Sequence, residues 1–258
     1  MSFELPKAVA QFVGDARLVA DDIGESPGHV HSFTRGNDRF FLKTSSAIYA
    51  PTTYSVLREA RVLGWLSGRL PVPEIVLVAA SEDAEFMITR GVPGEPLAAR
   101  IAAGRPVTEL FRDALRLLQA VPVEGCPFDS RIAARLREAE YLIAHGLCAD
   151  DCDFDQWPGF AEPRDLLAHL DANRPDEDLV FTHGDLCDNN VFVDDRDNLY
   201  FIDLGRGGLA DRWSDIAFIL RNLRDDVSED AADNFLKAIG TADNREKRTF
   251  FEQLDELF

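Results

Sequence analysis

The sequence predicts an α+β, bilobal fold in which a strand-rich N-terminal lobe precedes a mainly helical C-terminal lobe. Three features of the 258-residue chain support this prediction. Short alternating polar and apolar segments fill the first third, as β-strands require. A Gly-Val-Pro-Gly segment then interrupts the pattern, and helical periodicity dominates after it. We therefore expect lobes at 1–88 and 96–258, joined by a hinge at 89–95.

The N-terminal lobe combines predicted strands with one predicted helix. The helix, at 53–68, has apolar residues at helical spacing and ends before Pro71. The segments 17–20 and 29–33 are short and alternate in polarity, and 39–43 is a run of residues typical of β-strands. The predicted strands are 17–20, 29–33, 39–43, 74–79 and 85–89.

The C-terminal lobe is predicted to be helical except for one strand–turn–strand segment at 180–204. In that segment, short apolar runs are separated by polar turns, which places its polar residues on loops at strand ends. The predicted helices are 108–120, 129–145, 162–173, 211–223, 228–238 and 244–256.

Composition limits the classes of partner. A formal net charge of −19 disfavours nucleic acid and anionic membranes, because either would need a basic surface. The charge suits a polycationic ligand, although a generally acidic surface that aids solubility is the favoured interpretation of the total charge alone. The N-terminal residues do not resemble a signal peptide, and no apolar stretch approaches the length of a membrane span. We expect a soluble, cytoplasmic protein.

The strand–turn–strand segment carries the predicted chemistry. Asp185 and Asn190 have the spacing of the kinase catalytic loop, with Gly where that motif has Arg. Asp203 fits the metal-binding Asp of the Asp-Phe-Gly motif, here Asp-Leu-Gly. A phosphoryl-transfer site needs one carboxylate to orient a hydroxyl, and an amide and a second carboxylate to hold Mg²⁺. We therefore predict Asp185 as the catalytic residue and Asn190 and Asp203 as metal ligands.

These motifs resemble a known family. His-Gly-Asp-Leu-x-Asp-x-Asn followed by Phe-Ile-Asp-Leu-Gly-Arg is similar to the aminoglycoside phosphotransferases, small-molecule kinases with a protein-kinase-like fold. Further segments narrow the resemblance to the 3′-phosphotransferase branch. They are Gly-Arg-x-Gly at 205–208, Ala-Asp-Arg-Trp at 210–213, Asp-Ile-Ala at 215–217 and Leu-Asp-Glu-Leu-Phe at 254–258. The similarity is clear from about residue 175 onward and looser before it, and Asn189 stands where many relatives have Ser.

The kinase pattern also predicts a phosphate-binding pair. Lys43 ends an apolar strand, and Glu59 follows 16 residues later inside the next helix. In kinases, such a lysine contacts the α- and β-phosphates and is held by the glutamate. The resemblance implies ATP as the donor, with GTP possible, and Mg²⁺ as the cofactor.

Four further residues are assigned to the nucleotide. The Ser26 hydroxyl is expected near the β-phosphate, with a plain hairpin turn as the alternative. Phe41 shares a strand face with Lys43, and the resemblance implies that it stacks on adenine; a core phenylalanine is the alternative. Backbone groups of Thr89 and Gly91 are implied to meet the adenine edge.

The acceptor side is rich in carboxylates. Any one acidic cluster is most often a solvated surface, but these clusters match the places where 3′-phosphotransferases hold the ammonium groups of their substrate. Arg206 has two open roles, bracing the site or contacting the acceptor. The resemblance implies the following substrate-binding set: Asp153, Asp155, Asp188, Arg206, Arg221, Asp225, Asp226, Asp255, Glu256 and Phe258.

The predicted function is transfer of the γ-phosphate of ATP to the 3′-hydroxyl of kanamycin- or neomycin-type aminoglycosides, which confers antibiotic resistance. The alternative is a kinase of the same fold that acts on another small hydroxyl compound, such as choline, an amino sugar or another antibiotic. A non-catalytic kinase-like module is disfavoured, because it would not need all five predicted catalytic and phosphate-binding residues. We expect a monomer or weak homodimer.

Overall fold

The computed structural model describes residues 4–21, 27–148 and 156–258. Its chain forms two compact units. The first comprises Met1–Glu95 and Phe192–Arg206, and the second comprises Pro96–Val191 and Gly207–Phe258. The predicted lobe and hinge boundaries stay a prediction.

An antiparallel five-stranded sheet, in the order β1-β2-β3-β5-β4, forms the centre of the first unit. Each strand overlaps one of the five segments predicted as strands. The strands are β1 Val19–Asp21, β2 His29–Arg35, β3 Asp38–Ser46, β4 Ile75–Ala80 and β5 Ala84–Arg90. Six of the seven residues of β5 are buried, so this strand is the core of the sheet.

The two faces of the sheet are covered differently. On one face, Phe40 and Leu42 of β3 and Phe86 and Ile88 of β5 pack with helix α1 (Lys7–Val13) in an apolar cluster. Helix α2 (Val56–Leu66) also packs against the sheet strands, and it lies within the range predicted for it. The sequence analysis did not predict α1, because seven residues are too few for a clear helical period.

The remaining segment of the first unit carries the Asp-Leu-Gly motif at 203–205. Strand β8 (Val191–Val193) leads into a turn and strand β9 (Leu199–Phe201), its neighbour in a small sheet. The Phe201 N–H donates to the Pro71 carbonyl oxygen at 2.9 Å, which fixes this hairpin within the unit. A single 3₁₀ turn, Leu204–Arg206, follows.

The second unit is mainly helical, with an antiparallel pair of strands, β7 and β10. Helix α7 packs against both α8 and α9. The elements from the unit boundary onward are β6 Glu95–Pro96, α3 Leu97–Ala102, α4 Thr108–Gln119, α5 Ile132–His145, α6 Pro163–Ala172, β7 Leu179–Thr182, β10 Gly208–Asp211, α7 Trp213–Asp226, α8 Glu229–Ile239 and α9 Arg245–Asp255.

In the second unit, two predicted helices begin two or three residues later than expected. The helix predicted from residue 211 begins at Trp213, because Gly208–Asp211 pair with β7 as a strand. The helix predicted from residue 129 begins at Ile132, because Asp129 forms a β-bridge with Leu209. Within the described ranges, every helix is too short or too polar to cross a membrane.

Candidate active site

The predicted phosphate-binding pair is formed. Lys43 Nζ lies 2.8 Å from Glu59 Oε1, 3.0 Å from Glu59 Oε2 and 3.0 Å from Asp203 Oδ1. Glu59 is buried, whereas half of the Asp203 side chain is exposed. Burial alone would lower the pKa of Lys43, but the Asp203 and Glu59 carboxylates outweigh it and raise that pKa. Lys43 is therefore held as a fixed cation between two carboxylates.

The backbone at Asp203 is unusual. Its φ is 58°, a left-handed conformation that Asp tolerates better than most residues but that is still uncommon. The residue after next, Gly205, lies so close to α2 that an added Cβ would be 2.7 Å from the Thr53 carbonyl oxygen. The Gly205 carbonyl in turn accepts a hydrogen bond from the Arg58 guanidinium. These contacts fix the Asp-Leu-Gly segment against the start of α2. They thereby set the position of the Asp203 carboxylate.

Arg206 continues this attachment. Its Nη2 donates to the Tyr54 hydroxyl at 3.3 Å, and its guanidinium lies 5.7 Å from the Tyr54 ring centroid. Within the first unit this geometry favours the bracing role over direct acceptor contact.

The residues assigned to adenine lie together. Phe41 pairs with Thr89 across β3 and β5, and a Cβ at Gly91 would be 3.2 Å from the edge of the Phe41 ring. The Gly91 N–H already donates to the Arg39 carbonyl at 2.8 Å, so its carbonyl is the group best placed to meet a ligand. Ser26 lies outside the described residues.

The catalytic loop holds its two predicted residues in contact. Asn190 Nδ2 donates to Asp185 Oδ2 and to the Asp185 carbonyl oxygen, both at 2.9 Å. This orientation leaves the Asn190 amide oxygen as the group that can coordinate a metal. Asp185 is partly exposed and Asn190 is buried, so the carboxylate is accessible while the amide is fixed.

A residue whose role was not predicted anchors this loop. Asp215, at the start of α7, is fully buried and accepts hydrogen bonds from the backbone N–H groups of His183 at 2.8 Å and Gly184 at 2.9 Å. Gly184 has φ 80°, a conformation that glycine adopts readily. Burial raises the pKa of Asp215 to about 7; the Asp185 charge adds to the shift and the two N–H donors oppose it. The signal in the sequence was a lone Asp among apolar helical residues.

On the acceptor side, Asn222 of α7 connects the loop after Asp185 to the acidic end of that helix. Asn222 Oδ1 accepts from the Asp188 N–H at 2.8 Å, and Asn222 Nδ2 donates to Asp226 Oδ2 at 2.5 Å. Burial raises the pKa of Asp188, and the Asp226 charge raises it further. Asp225 is exposed beside Asp226. Asn222, which the sequence analysis missed, therefore links the main chain of Asp188 to the carboxylate of Asp226.

The C-terminal residues form a second group. Asp255 Oδ2 accepts from Arg221 Nη2 at 2.7 Å, and Glu256 Oε1 accepts from the Trp157 indole at 3.2 Å. The Phe258 ring centroid lies 3.6 Å from the guanidinium carbon of buried Arg135, a cation–π contact.

Sequence reasoning missed Arg135 and Trp157, since nothing in the chain marks them as neighbours of the C-terminal residues. Asp153 and Asp155 lie outside the described residues.

Comparison with known proteins identifies the family. A model described as "Phosphotransferase enzyme family" matches residues 30–251. The chain is 43% identical to an aminoglycoside 3′-phosphotransferase of Acinetobacter baumannii, covering 98% of this chain and 99% of that relative. The chain belongs to the aminoglycoside 3′-phosphotransferase family.

Solved structures of the family have the same fold. An aminoglycoside-3′-phosphotransferase of type VIII superposes with a TM-score of 0.83 and 32% identity, covering 97% of each chain. Aminoglycoside phosphotransferase APH(3″)-Id from Streptomyces rimosus, in complex with ADP and streptomycin, gives a TM-score of 0.73 at 27% identity, covering 92% of this chain and 94% of that one. The predicted α+β, kinase-like fold and the phosphotransferase class are confirmed, while the individual residue roles stay predictions.

Proposed function

We propose that the protein transfers the γ-phosphate of ATP to the 3′-hydroxyl of kanamycin- or neomycin-type aminoglycosides, and so confers resistance to them. The observation that carries the proposal is the 43% identity to an aminoglycoside 3′-phosphotransferase over 98% of this chain. The proposal includes a cytoplasmic location, where ATP is available, and a monomeric or weakly dimeric state.

The nucleotide side is supported by the Lys43–Glu59 pair. In the kinase mechanism the lysine holds the α- and β-phosphates, and its ion pair keeps the flexible side chain in place. Here both oxygens of Glu59 bind Nζ, so little freedom remains. The ADP complex of the Streptomyces rimosus relative agrees with a nucleoside triphosphate as donor.

Asp185 is assigned the central role. Phosphoryl transfer passes through a loose transition state that needs little base strength, so the carboxylate mainly aligns the attacking hydroxyl and takes its proton late. The hydrogen bond from Asn190 and the anchoring of the loop by Asp215 support this alignment.

The residues present fit a magnesium ion by donor type. Asp203 offers a half-exposed carboxylate, and Asn190 offers its amide oxygen. Oxygen ligands of this kind suit Mg²⁺, which when bound offsets the charge of the nucleotide phosphates.

The acceptor chemistry matches the acidic groups. An aminoglycoside carries several ammonium groups and little apolar surface, so its site exchanges hydration for charge-assisted hydrogen bonds to carboxylates. Asp188 with Asp226, and Asp255 with Glu256, supply two such groups in the second unit.

The deciding experiment measures ADP release by the purified protein with ATP and Mg²⁺. Kanamycin is compared with tobramycin, its close analogue that lacks the 3′-hydroxyl. We expect turnover with kanamycin and none with tobramycin. Equal turnover with both would move the attacked hydroxyl, and turnover with neither would reject the aminoglycoside as acceptor.

A further inference from the structure

A buried carboxylate outside the proposed site lies at the start of α2. Glu85 on β5 is 6% exposed. Its Oε2 accepts hydrogen bonds from Ser45 Oγ at 3.2 Å, Ser55 Oγ at 2.7 Å and the Leu57 N–H at 3.1 Å. All three donors are uncharged. Because a carboxylate is costly to bury unless its oxygens are hydrogen-bonded, the three donors make burial of this side chain tolerable.

The same contacts attach the helix to the sheet. The first N–H groups of a helix have no acceptor within it. In α2, the Val56 N–H donates to Ser45 Oγ at 3.1 Å, the Leu57 N–H to Glu85, and the Arg58 N–H to Ser55 Oγ at 3.1 Å. Ser45 belongs to β3 and Glu85 to β5, and the positive end of the helix dipole faces the Glu85 carboxylate.

The strand that carries Ser45 also carries Lys43. Ser45 pairs with Glu85 and Lys43 pairs with Met87, so Lys43, Ser45 and Glu85 point to one face of the sheet. Glu59 lies one turn into α2, with its N–H donating to the Ser55 carbonyl at 3.0 Å. Glu85 therefore fixes the start of the helix that supplies Glu59 against the strand that supplies Lys43.

We propose that Glu85 is a positioning residue for nucleotide binding, setting α2 so that Glu59 holds Lys43 towards the phosphates. The inference rests on the proposed function, since it takes Lys43 as the phosphate-binding cation. A site residue is effective only when its supporting contacts hold it within a fraction of an ångström. Glu85 supplies such contacts through hydrogen bonds from Ser45, Ser55 and Leu57, which are not among the proposed nucleotide-binding residues.

The test compares Glu85→Leu, which removes the acceptor at similar size, with Glu85→Gln, which keeps one amide oxygen. Binding of a fluorescent ADP analogue with Mg²⁺ is measured, together with KM for ATP and for the aminoglycoside. We expect Glu85→Leu to weaken ADP binding and raise KM for ATP about 10-fold, with a smaller effect from Glu85→Gln. KM for the aminoglycoside should stay within about twofold. Glu82→Gln, on the exposed turn before β5, is the matched control.

A double-mutant cycle separates positioning from general stability. If Glu85 acts through Glu59, adding Glu85→Leu to Glu59→Gln should change ADP affinity less than about twofold. Losses that multiply independently would overturn the inference. A lower unfolding temperature of Glu85→Leu, with wild-type ADP affinity at temperatures at which the variant is folded, would also overturn the inference.

If Glu85→Leu does not fold, Ser45→Ala and Glu85→Gln test the inference in its place. Ser45→Ala removes one donor and one helix acceptor, and it should weaken ADP binding about threefold. Wild-type ADP affinity in both Ser45→Ala and Glu85→Gln would overturn the inference. Because ADP binding needs no acceptor, a protein that phosphorylates no aminoglycoside yet loses ADP affinity in these variants would reject the proposed acceptor and leave the role of Glu85 intact.

Discussion

The cluster around Lys43 and the Asp188–Asp226 pair of the acceptor side differ in how their charges are balanced. Lys43 lies between Glu59 and Asp203, so the cation has its counter-charges within 3.0 Å in the protein itself. Asp188 instead faces another carboxylate, Asp226, and both burial and that neighbour raise its pKa. The cation of the first cluster is already paired within the protein, whereas the second holds two like charges and gains most from an added cation.

This difference in charge balance indicates how each of the two substrates is expected to be recognised. The nucleotide meets a cation already fixed in position, so affinity depends on keeping Lys43 where it is. The aminoglycoside supplies the positive charges that the acidic group needs, so its affinity depends on the number of carboxylates. The variants below test this division, starting with the largest expected effect.

Asp185→Ala removes the carboxylate that aligns the acceptor hydroxyl. We expect kcat to fall about 100- to 10,000-fold, as for loss of a general acid–base group. Affinity for ADP, measured by calorimetry, should be unchanged, because Asp185 is assigned to the acceptor hydroxyl and not to the nucleotide. Substantial residual turnover would show that Asp185 does not align the hydroxyl.

Lys43→Ala removes the cation that lies between Glu59 and Asp203. It leaves the Glu59 and Asp203 carboxylates facing each other without their cation. We expect kcat/KM for ATP to fall about 100-fold or more, as when a preorganised electrostatic group is removed. KM for the aminoglycoside should hardly change. Steady-state kinetics with each substrate varied in turn would measure both values, and an equal rise in both KM values would contradict the division of roles.

Removal of residues 255–258 tests the acceptor side. It deletes Asp255 and Glu256, and each lost charge-assisted hydrogen bond costs enough to raise KM for the aminoglycoside about 10-fold or more, far above any change in KM for ATP. Because Leu257 is fully buried, Glu256→Gln serves as the conservative partner variant. Equal effects on both substrates would mean that these residues only support the fold.

The smallest expected effect is a pH dependence of stability that comes from Asp215. Its pKa is raised to about 7 in the folded protein, against about 3.9 for an unfolded Asp. Between these values the folded state binds the proton more tightly, so the stabilising contribution is present at low pH and is lost as pH rises towards 7, by at most about 1.4 kcal/mol per pH unit.

The test measures the free energy of unfolding by denaturant for the wild type and for Asp215→Asn at pH 5 to 8. The difference between the two free energies should decrease as the pH rises and level off above about 7. A constant difference would contradict the shift.

The parts of the site that follow a chain-local pattern could be predicted from the sequence. Asp185 and Asn190 share one loop, and the Lys43–Glu59 pair follows from a strand and the next helix. The kinase template then supplied Asp203, which the structure places on the same lysine. Local spacing was enough because each element has one strong hydrophobic period.

The supporting residues could not be predicted in the same way. Glu85 meets Ser55 and Leu57, Asp215 meets the backbone of His183, and Arg135 meets Phe258, all across long stretches of chain. Their partners depend on tertiary packing, and a lone Glu or Asp in an apolar element gives no direction. The helix start was predicted at residue 211 rather than at Trp213 for the same reason, because Asp211 ends strand β10, whose partner β7 lies much earlier in the chain.

The attachment of the catalytic loop has a consequence for how the enzyme can change over generations. Asp215 contacts the loop through the main-chain N–H groups of His183 and Gly184 rather than through their side chains. Every amino acid except proline supplies such a group. Side chains around the loop, except at Gly184 with its left-handed φ, can therefore be exchanged under selection for new antibiotics without loss of this attachment. The loop can adapt to a new acceptor while the reaction that it supports stays the same.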